Sequence, residues 1–293
     1  MIGDPVSLMV PENASPEEVQ AAREYLGLDK PIHVQYLIFM RDVVKGNFGR
    51  SYRYYQPAMK VILERVPATL EMVFLSVLIT GVLSVIFGVY AGAYPKRKSS
   101  KTIMTFSIVG ISLPSFWLGM MLIFVFSIFL GWFPPSGRGQ LGIFLGIKSS
   151  LFTLNGLKHL ILPAITLSLA NIATLIRLIR ASMQETLKQD YIKYARSKGV
   201  SERDVLYKHA LPNTLIPVIT IFGLQVGTLI AFTTITETVF AWPGIGKLLI
   251  DSIYSVDKPI IVSYLMIVSA MFVIINFLVD IAYIIIDPRV KIK

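Results

Sequence analysis

The sequence predicts an all-α, polytopic membrane fold, and three observations carry that prediction. Charge is scarce, its gaps are long enough to cross a bilayer, and the basic residues are unevenly shared between the loops that join those gaps. Only 16% of the 293 residues are charged against 54% hydrophobic, with a mean hydropathy of +0.64. A soluble domain carries about a quarter of its residues charged, so much of this surface must face lipid or protein. Such hydrophobicity also excludes an intrinsically disordered chain. The absence of cysteine excludes a disulfide scaffold. In so apolar a chain the net charge of +10 points to cytoplasmic loops and membrane lipid headgroups. No nucleic-acid partner is expected, because the charges are split among loops without an interleaved aromatic platform.

Residues 1–69 precede the first span and carry ordinary helix signals. Ser15-Pro-Glu-Glu18 reads as a capping box with proline at the first helical position, and Gly27 closes that helix. A second helix is predicted from 31 to 45, with Tyr36, Met40, Val43 and Val44 on one face and Gly46 as its stop. A third, 57–66, would lie along the interface before Pro67 opens the first span. These helices are too few to build a core of their own.

Charge-free runs cover 72–95, 102–137, 160–176, 210–236 and 259–279. About 20 helical residues cross the hydrocarbon layer, so each run can hold one span. The five spans are placed at 70–94, 102–131, 159–181, 211–236 and 259–285. The run 160–176 is short and needs Arg177 and Arg180 to snorkel. The run 102–137 is too long, so its helix is ended near Gly131 and Trp132-Phe-Pro-Pro-Ser-Gly137 is assigned to an interfacial turn.

Orientation follows from lysine and arginine. Pro95-Lys-Arg-Lys-Ser-Ser-Lys101 carries four basic residues, 177–209 eight and the tail 287–293 three, whereas 132–158 and 237–258 together carry five. The first group is therefore cytoplasmic. That leaves 1–69 as an extracytoplasmic helical segment, 70–286 as the transmembrane domain and 287–293 as a cytoplasmic tail. Nothing in 1–69 has the form of a signal peptide, so a further spanning helix is expected upstream of Met1.

The cytoplasmic loop 184–210 is the most informative stretch. Gln189-Asp-Tyr-Ile-Lys-Tyr-Ala-Arg-Ser-Lys-Gly199 reads as a short helix with Tyr191, Tyr194 and Ala195 on one face and a glycine stop. Ser201-Glu-Arg-Asp204 caps a second helix at once, with Val205 and Leu206 buried in its body, running towards Pro212 and the next span. Two helices meeting at a glycine make a stiff corner. Seated in a partner's groove, such a corner turns the partner's movement into rotation of the attached spans, with small Ala195 allowing close approach. The alternative is a solvated basic loop that only sets topology.

The run from Tyr191-Ile-Lys-Tyr-Ala195 through Gly199-Val-Ser-Glu-Arg-Asp to His209-Ala-Leu-Pro-Asn-Thr-Leu-Ile-Pro217 resembles the signature loop of ABC importer permeases. More narrowly, it is similar to the first of the two permeases of dipeptide, oligopeptide and nickel importers. Gly3-Asp-Pro-Val, Gly46-Asn-Phe-Gly-Arg-Ser51, Pro67-Ala-Thr-Leu-Glu71 and Ser112-Leu-Pro-Ser-Phe-Trp-Leu-Gly119 agree. So do Glu237-Thr-Val-Phe-Ala-Trp-Pro-Gly-Ile-Gly246, Asn276-Phe-Leu-Val-Asp280 and Asp287-Pro-Arg289. The likeness covers nearly the whole chain. In that family Gly-Asp-Pro follows a first spanning helix, which is the sixth span expected upstream of Met1.

The resemblance implies a type I importer permease fold in a bacterial or archaeal plasma membrane. It implies a second permease enclosing the path, two ATP-binding subunits and an extracytoplasmic substrate-binding protein. ATP and Mg would sit on the partner ATPases, with no cofactor or metal in this chain. The coupling residues carried over are Asp190, Tyr191, Tyr194, Ala195, Lys198 and Gly199. Tyr194 stands where the ancestral Glu-Ala-Ala pattern has its glutamate. Peptides are the expected cargo, with nickel or another small solute as the alternative.

Other chemistry is poorly supported. Ala241-Trp-Pro-Gly-Ile-Gly-Lys-Leu248 lacks the first glycine and the Ser or Thr of a P-loop, so hydrolysis by this chain is not expected. No His-Glu-x-x-His pattern occurs, and His33, His159 and His209 lie outside the spans or at their ends, which argues against an intramembrane enzyme. An ion-coupled transporter usually carries several intramembrane acids. Here Asp280 is alone, one helical turn from Asn276, and reads as a path or proton residue or as a helix-packing group. Glu237, Pro243, Gly244 and Gly246 are candidate path or gate residues, the last three in a tight turn that either caps the path or simply closes a loop. Asn171, Thr174 and Gln225 read equally as glue between helices and as substrate contacts.

Overall fold

The computed structural model describes residues 6, 10–11, 13–25 and 27–286, the side chains of Tyr25, Asp280 and 282–286 excepted. Gly3-Asp-Pro and the tail 287–293 lie outside the described residues.

Helix α1 (Pro16–Tyr25) starts with the predicted reciprocal cap: Ser15 N donates to Glu18 Oε2 at 2.8 Å, and Glu18 N donates to Ser15 Oγ at 3.2 Å. Gly27 ends it at φ +65°. Helix α2 (Ile32–Val44) buries none of its residues and leaves Ile32, Tyr36, Leu37 and Val44 exposed. Past Gly46, the segment is anchored to the body of the protein where Ser51 Oγ and Arg53 N donate to the buried carboxylate of Asp257.

Helix α3 (Ala58–Leu63) does not lie apart along an interface. It runs through a two-residue joint into α4 (Val66–Ala93), and 58–93 form a single apolar unit. Ala58, Val61 and Ile62 are buried against Ile245, Leu248, Ile260 and Tyr264.

The predicted single helix over 102–131 is corrected to two arms, α5 (Lys98–Ser112) and α6 (Ser115–Leu122), the latter continued by a π-helical turn to Phe129. The chain bends by 110° between the arms. The bend sits at Leu113 (φ −87°, ψ 131°) and Pro114 (φ −60°, ψ 135°). A proline pushes the residue before it out of the α region, and Pro114 has no N–H to continue the ladder. Strands β1 (Gly142–Phe144) and β2 (Ile147–Ser149) then form a small antiparallel hairpin, an exception to the all-α prediction. Leu145 and Gly146 turn it, both at positive φ. Arg138 holds this loop to α4 through two hydrogen bonds to the Glu71 carboxylate, which also accepts from Ser150.

Helix α7 (Leu154–Thr186), at 33 residues, continues well past Arg177 and Arg180. It lies parallel to α4 in constant register. Ser76 donates to Ala164 O and Ser84 to Ile172 O, while Gly88 faces Ile179 and Gly92 faces Met183. A Cβ on either glycine would fall 2.7 Å from the Cβ of its neighbour. Small residues at four-residue spacing, Ser76, Thr80, Ser84, Gly88 and Gly92, thus let the two backbones approach.

After the short α8 (Asp190–Ser197) and α9 (Glu202–Asp204), a π-helical segment Val205–Ala210 leads into α10 (Leu211–Val239), so 202–239 form one long unit. Helices α11 (Ile245–Tyr254) and α12 (Lys258–Ile286) complete the fold. Gly223 and Gly227 seat α10 on α12 at Val279, Phe272 and Asn276. Among the described residues, four helical units are long and apolar enough to cross a membrane, and the bent α5–α6 pair makes a fifth if its two arms form one span.

Candidate functional site

The basic end of the molecule carries the corner. Helix α8 closes at Gly199 (φ +76°), where Gly199 N donates to Arg196 O and Val200 N donates to Ala195 O. This paired bonding is a Schellman stop, which needs a residue at ease in the left-handed region. Ser201 then caps α9, its Oγ accepting from Asp204 N at 3.2 Å. Across the corner the Arg196 guanidinium takes both Glu202 oxygens, at 2.7 and 3.1 Å. Lys193 donates to Asp190 at 2.8 Å and holds that exposed carboxyl below the ordinary carboxylate range.

The face assignment of α8 needs correction. Ala195 does not point outward with Tyr191 and Tyr194. It is buried with Ile192 against Val205, Ala210, Met183 and Ile179, so its small size serves packing within this chain. Ile192 and Ala195 are one turn apart, an apolar pair whose spacing could have revealed the inner face. The outer face presents Asp190, Lys193, Tyr194 and Lys198, with Tyr194 60% exposed and Lys198 Nζ 4.6 Å from its ring centroid.

Tyr191 has a different task. Its hydroxyl accepts from Asn213 Nδ2 at 3.0 Å, and Asn213 also donates to His209 O. The corner is therefore fastened directly to the first turn of α10. Asn213 lies inside the signature stretch, yet nothing in its spacing separates it from an ordinary helix-start residue.

At the bend between α5 and α6, a cavity of about 310 Å³ opens against α7 and α10. Ser115, Thr166, Asn171, Thr228 and Thr236 give it polar groups, Leu113, Leu118 and Phe232 give it apolar ones, and no charged residue lines it. Of the three polar residues singled out at bilayer depth, only Asn171 lines this cavity. Thr174 donates to Ala170 O of its own helix, and Gln225 Oε1 is buried without a hydrogen-bond partner among the described residues. The bend concentrates the other lining groups here, and it is invisible to hydropathy.

The candidate gate residues form a clamp. Glu237 is fully buried; its carboxylate accepts from Thr69 Oγ1 at 2.6 Å and from Lys247 N at 2.9 Å. Thr69 Oγ1 accepts in turn from Ile245 N, and Trp242 Nε1 donates to Ala68 O at 2.8 Å. A carboxylate beside the first N–H groups of α11 caps that helix. Gly244 packs against the carboxylate and Gly246 against Thr234, while Pro243 is half-buried in the connecting turn. Glu237 thus binds α4, α10 and α11 together. Asn276 faces Gly227 within the α10–α12 contact and lies off the cavity. Asp280 is on α12, but its side chain lies outside the described residues.

Among the described residues no group of His, Asp and Glu is arranged to hold a metal ion. The arrangement consists of a braced corner, a hydrogen bond from it to α10, and a cavity beside α10.

Residues 84–292 match the family described as binding-protein-dependent transport system inner membrane component, and 1–73 match its N-terminal region. The chain is 40% identical over 302 residues to the di/tripeptide transport system permease protein DppB of Pseudomonas aeruginosa, covering 99% of this chain and 90% of that protein. It is 39% identical to the oligopeptide transport system permease protein AppB of Bacillus subtilis, with the same coverage of both. In fold it is similar to a chain of the inward-facing MetNI methionine ABC transporter, with a TM-score of 0.63 at 17% identity over 78% of this chain and 97% of that one. An amino acid ABC transporter gives 0.53 at 14% identity, over 79% and 94%.

Proposed function

This chain belongs to the family of binding-protein-dependent transport system inner membrane components, and from that premise we propose that it is the permease of an ATP-driven peptide importer. The observation that carries the reading is the Tyr191–Asn213 fastening, which ties a helix with an exposed outer face to a helix lining the cavity. Closure of two ATPases on α8 would be felt by α10 with little loss, because the corner is braced by Arg196–Glu202 and closed at Gly199. In this reading ATP and Mg are held by those separate subunits.

Peptides are supported by the relatives named for di/tripeptide and oligopeptide transport and by the cavity's chemistry. Hydroxyl and amide groups can exchange hydrogen bonds with a peptide main chain, and a neutral lining neither attracts nor repels charged side chains strongly. The path would be completed by a second permease, with cargo handed over by an extracytoplasmic binding protein.

The test is reconstitution of this chain with a second permease, two ATPases and a binding protein in proteoliposomes. ATP-dependent uptake of labelled di- and oligopeptides is expected, lost when any one component is omitted. Uptake of nickel without peptide, or peptide uptake without the ATPases, would contradict the reading.

A further inference from the structure

We propose that an anionic, two-chain phospholipid of the surrounding bilayer binds where α4 and α5 meet at the basic end. Two apolar grooves flank the Phe87 and Ile103 side chains, which both grooves share. One, of about 380 Å³, runs along Val85 and Val89 and includes the rings of Tyr90 and Tyr207. The other, of about 350 Å³, runs between α5 and α7 along Phe106 and Ile172. Two neighbouring grooves with a shared wall suit two acyl chains joined at one headgroup.

The turn next to the grooves supplies the complementary charge. Arg97 stacks over Tyr94 at 4.2 Å, and its Nη1 lies 3.5 Å from the hydroxyl of Tyr90. That hydroxyl pairs with Ser99 Oγ at 2.8 Å, so a groove residue is joined to the turn. Lys96, Arg97, Lys98 and Lys101 make no ion pair among the described residues. Between Glu71 and Glu185 the sequence contains no acidic residue at all. Ile103 lies about 7–8 Å along α5 from Lys98, which sets the grooves directly beside the charged turn. Cations that make no ion pair among the described residues, adjoining apolar grooves, complement an amphipathic anion; the acids near Tyr207, Asp204 and Glu202, are paired with Lys208 and Arg196. A soluble acidic protein could meet the charges but has no reason to fill the grooves.

The full chain, purified in mild detergent and exchanged into micelles doped with phosphatidylglycerol or phosphatidylcholine, provides the test by native mass spectrometry. Phosphatidylglycerol should be retained about tenfold or more over phosphatidylcholine. The exposed-turn variant R97Q/K98Q/K101Q should lose that preference with an unchanged melting profile. Ile103→Trp, which fills the shared wall and leaves every charge, should also lose retention. Equal retention of both lipids, or wild-type retention by either variant, would overturn the proposal. Displacement of the lipid by inorganic phosphate would overturn it too, by showing an anion site without chain binding, as would an acidic protein held there in its place.

Discussion

The carboxylate of Glu237 occupies the space that any side chain on Gly244 would need. A Cβ there would fall closer to both oxygens than real Cβ contacts allow. The glycine is required by proximity, since its φ of −91° is open to every residue. The carboxylate cannot retreat without abandoning Thr69 and Lys247 N. Gly244→Ala should therefore destabilise the protein by about 1–3 kcal/mol through overpacking. Thr69→Val should cost a similar amount, about 1–3 kcal/mol, by leaving a buried carboxylate and the Ile245 N–H short of a partner. Thermal unfolding in detergent checks both; an unchanged midpoint for either would show that the clamp is not tight.

The parallel contact of α4 and α7 is equally intolerant of added atoms. Gly92→Val places two methyl groups beyond a Cβ that already meets Met183 at 2.7 Å. The helices must separate or shift, at a cost of about 1–3 kcal/mol or more. Gly46→Ala meets no neighbour and tests only the φ of +77°. The first should lower the unfolding temperature clearly more than the second, and the reverse order would refute the packing explanation.

At Gly199 the constraint is backbone and not space, because a Cβ added at its φ of +76° would meet nothing within 4 Å. Asparagine tolerates the left-handed region, whereas a β-branched residue is disfavoured there by about 1–2 kcal/mol or more. Gly199→Val should insert into the membrane normally yet lose uptake and substrate-stimulated ATP hydrolysis. Gly199→Asn should keep most of both. Equal activity of the two variants would separate the corner's shape from coupling.

Acid should leave the corner intact until far below neutrality. The hydrogen bond and charge of Lys193 lower the pKa of Asp190 relative to the unfolded chain. Its contribution is thus fully present above the unfolded value of about 3.9. It is lost only as pH falls through the lower folded value. Amide exchange in α8, corrected for intrinsic rates, should show protection that is flat from neutral pH down to about 5. Loss of protection between those limits would require another titrating group.

Local chemistry is legible in this sequence. The Ser15–Glu18 box, the Gly199 stop and the Ser201 cap each depend on residues within a turn of one another, and each forms as its spacing predicts. Features that depend on distant partners are not legible. Tyrosines beside Ala195 in sequence suggest an outward face, whereas Val205 and Met183 decide its burial. The clamp at Glu237 cannot be read from spacing, because its partner Thr69 lies 168 positions away. The bend at Pro114 sits inside an unbroken apolar run, where hydropathy averages over it. The cavity that the bend creates is hidden for the same reason.

The absence of cysteine allows a single reporter to be placed without background. Tyr194→Cys puts a thiol on the outer face of α8 while leaving Ile192, Ala195 and the Tyr191–Asn213 fastening untouched. In intact membranes containing the assembled importer, a short bifunctional reagent at this thiol should capture an ATPase subunit, with a yield that changes when ATP is added. A thiol that stays free in active membranes, or one that captures only lipid, would contradict a corner gripped by the motor.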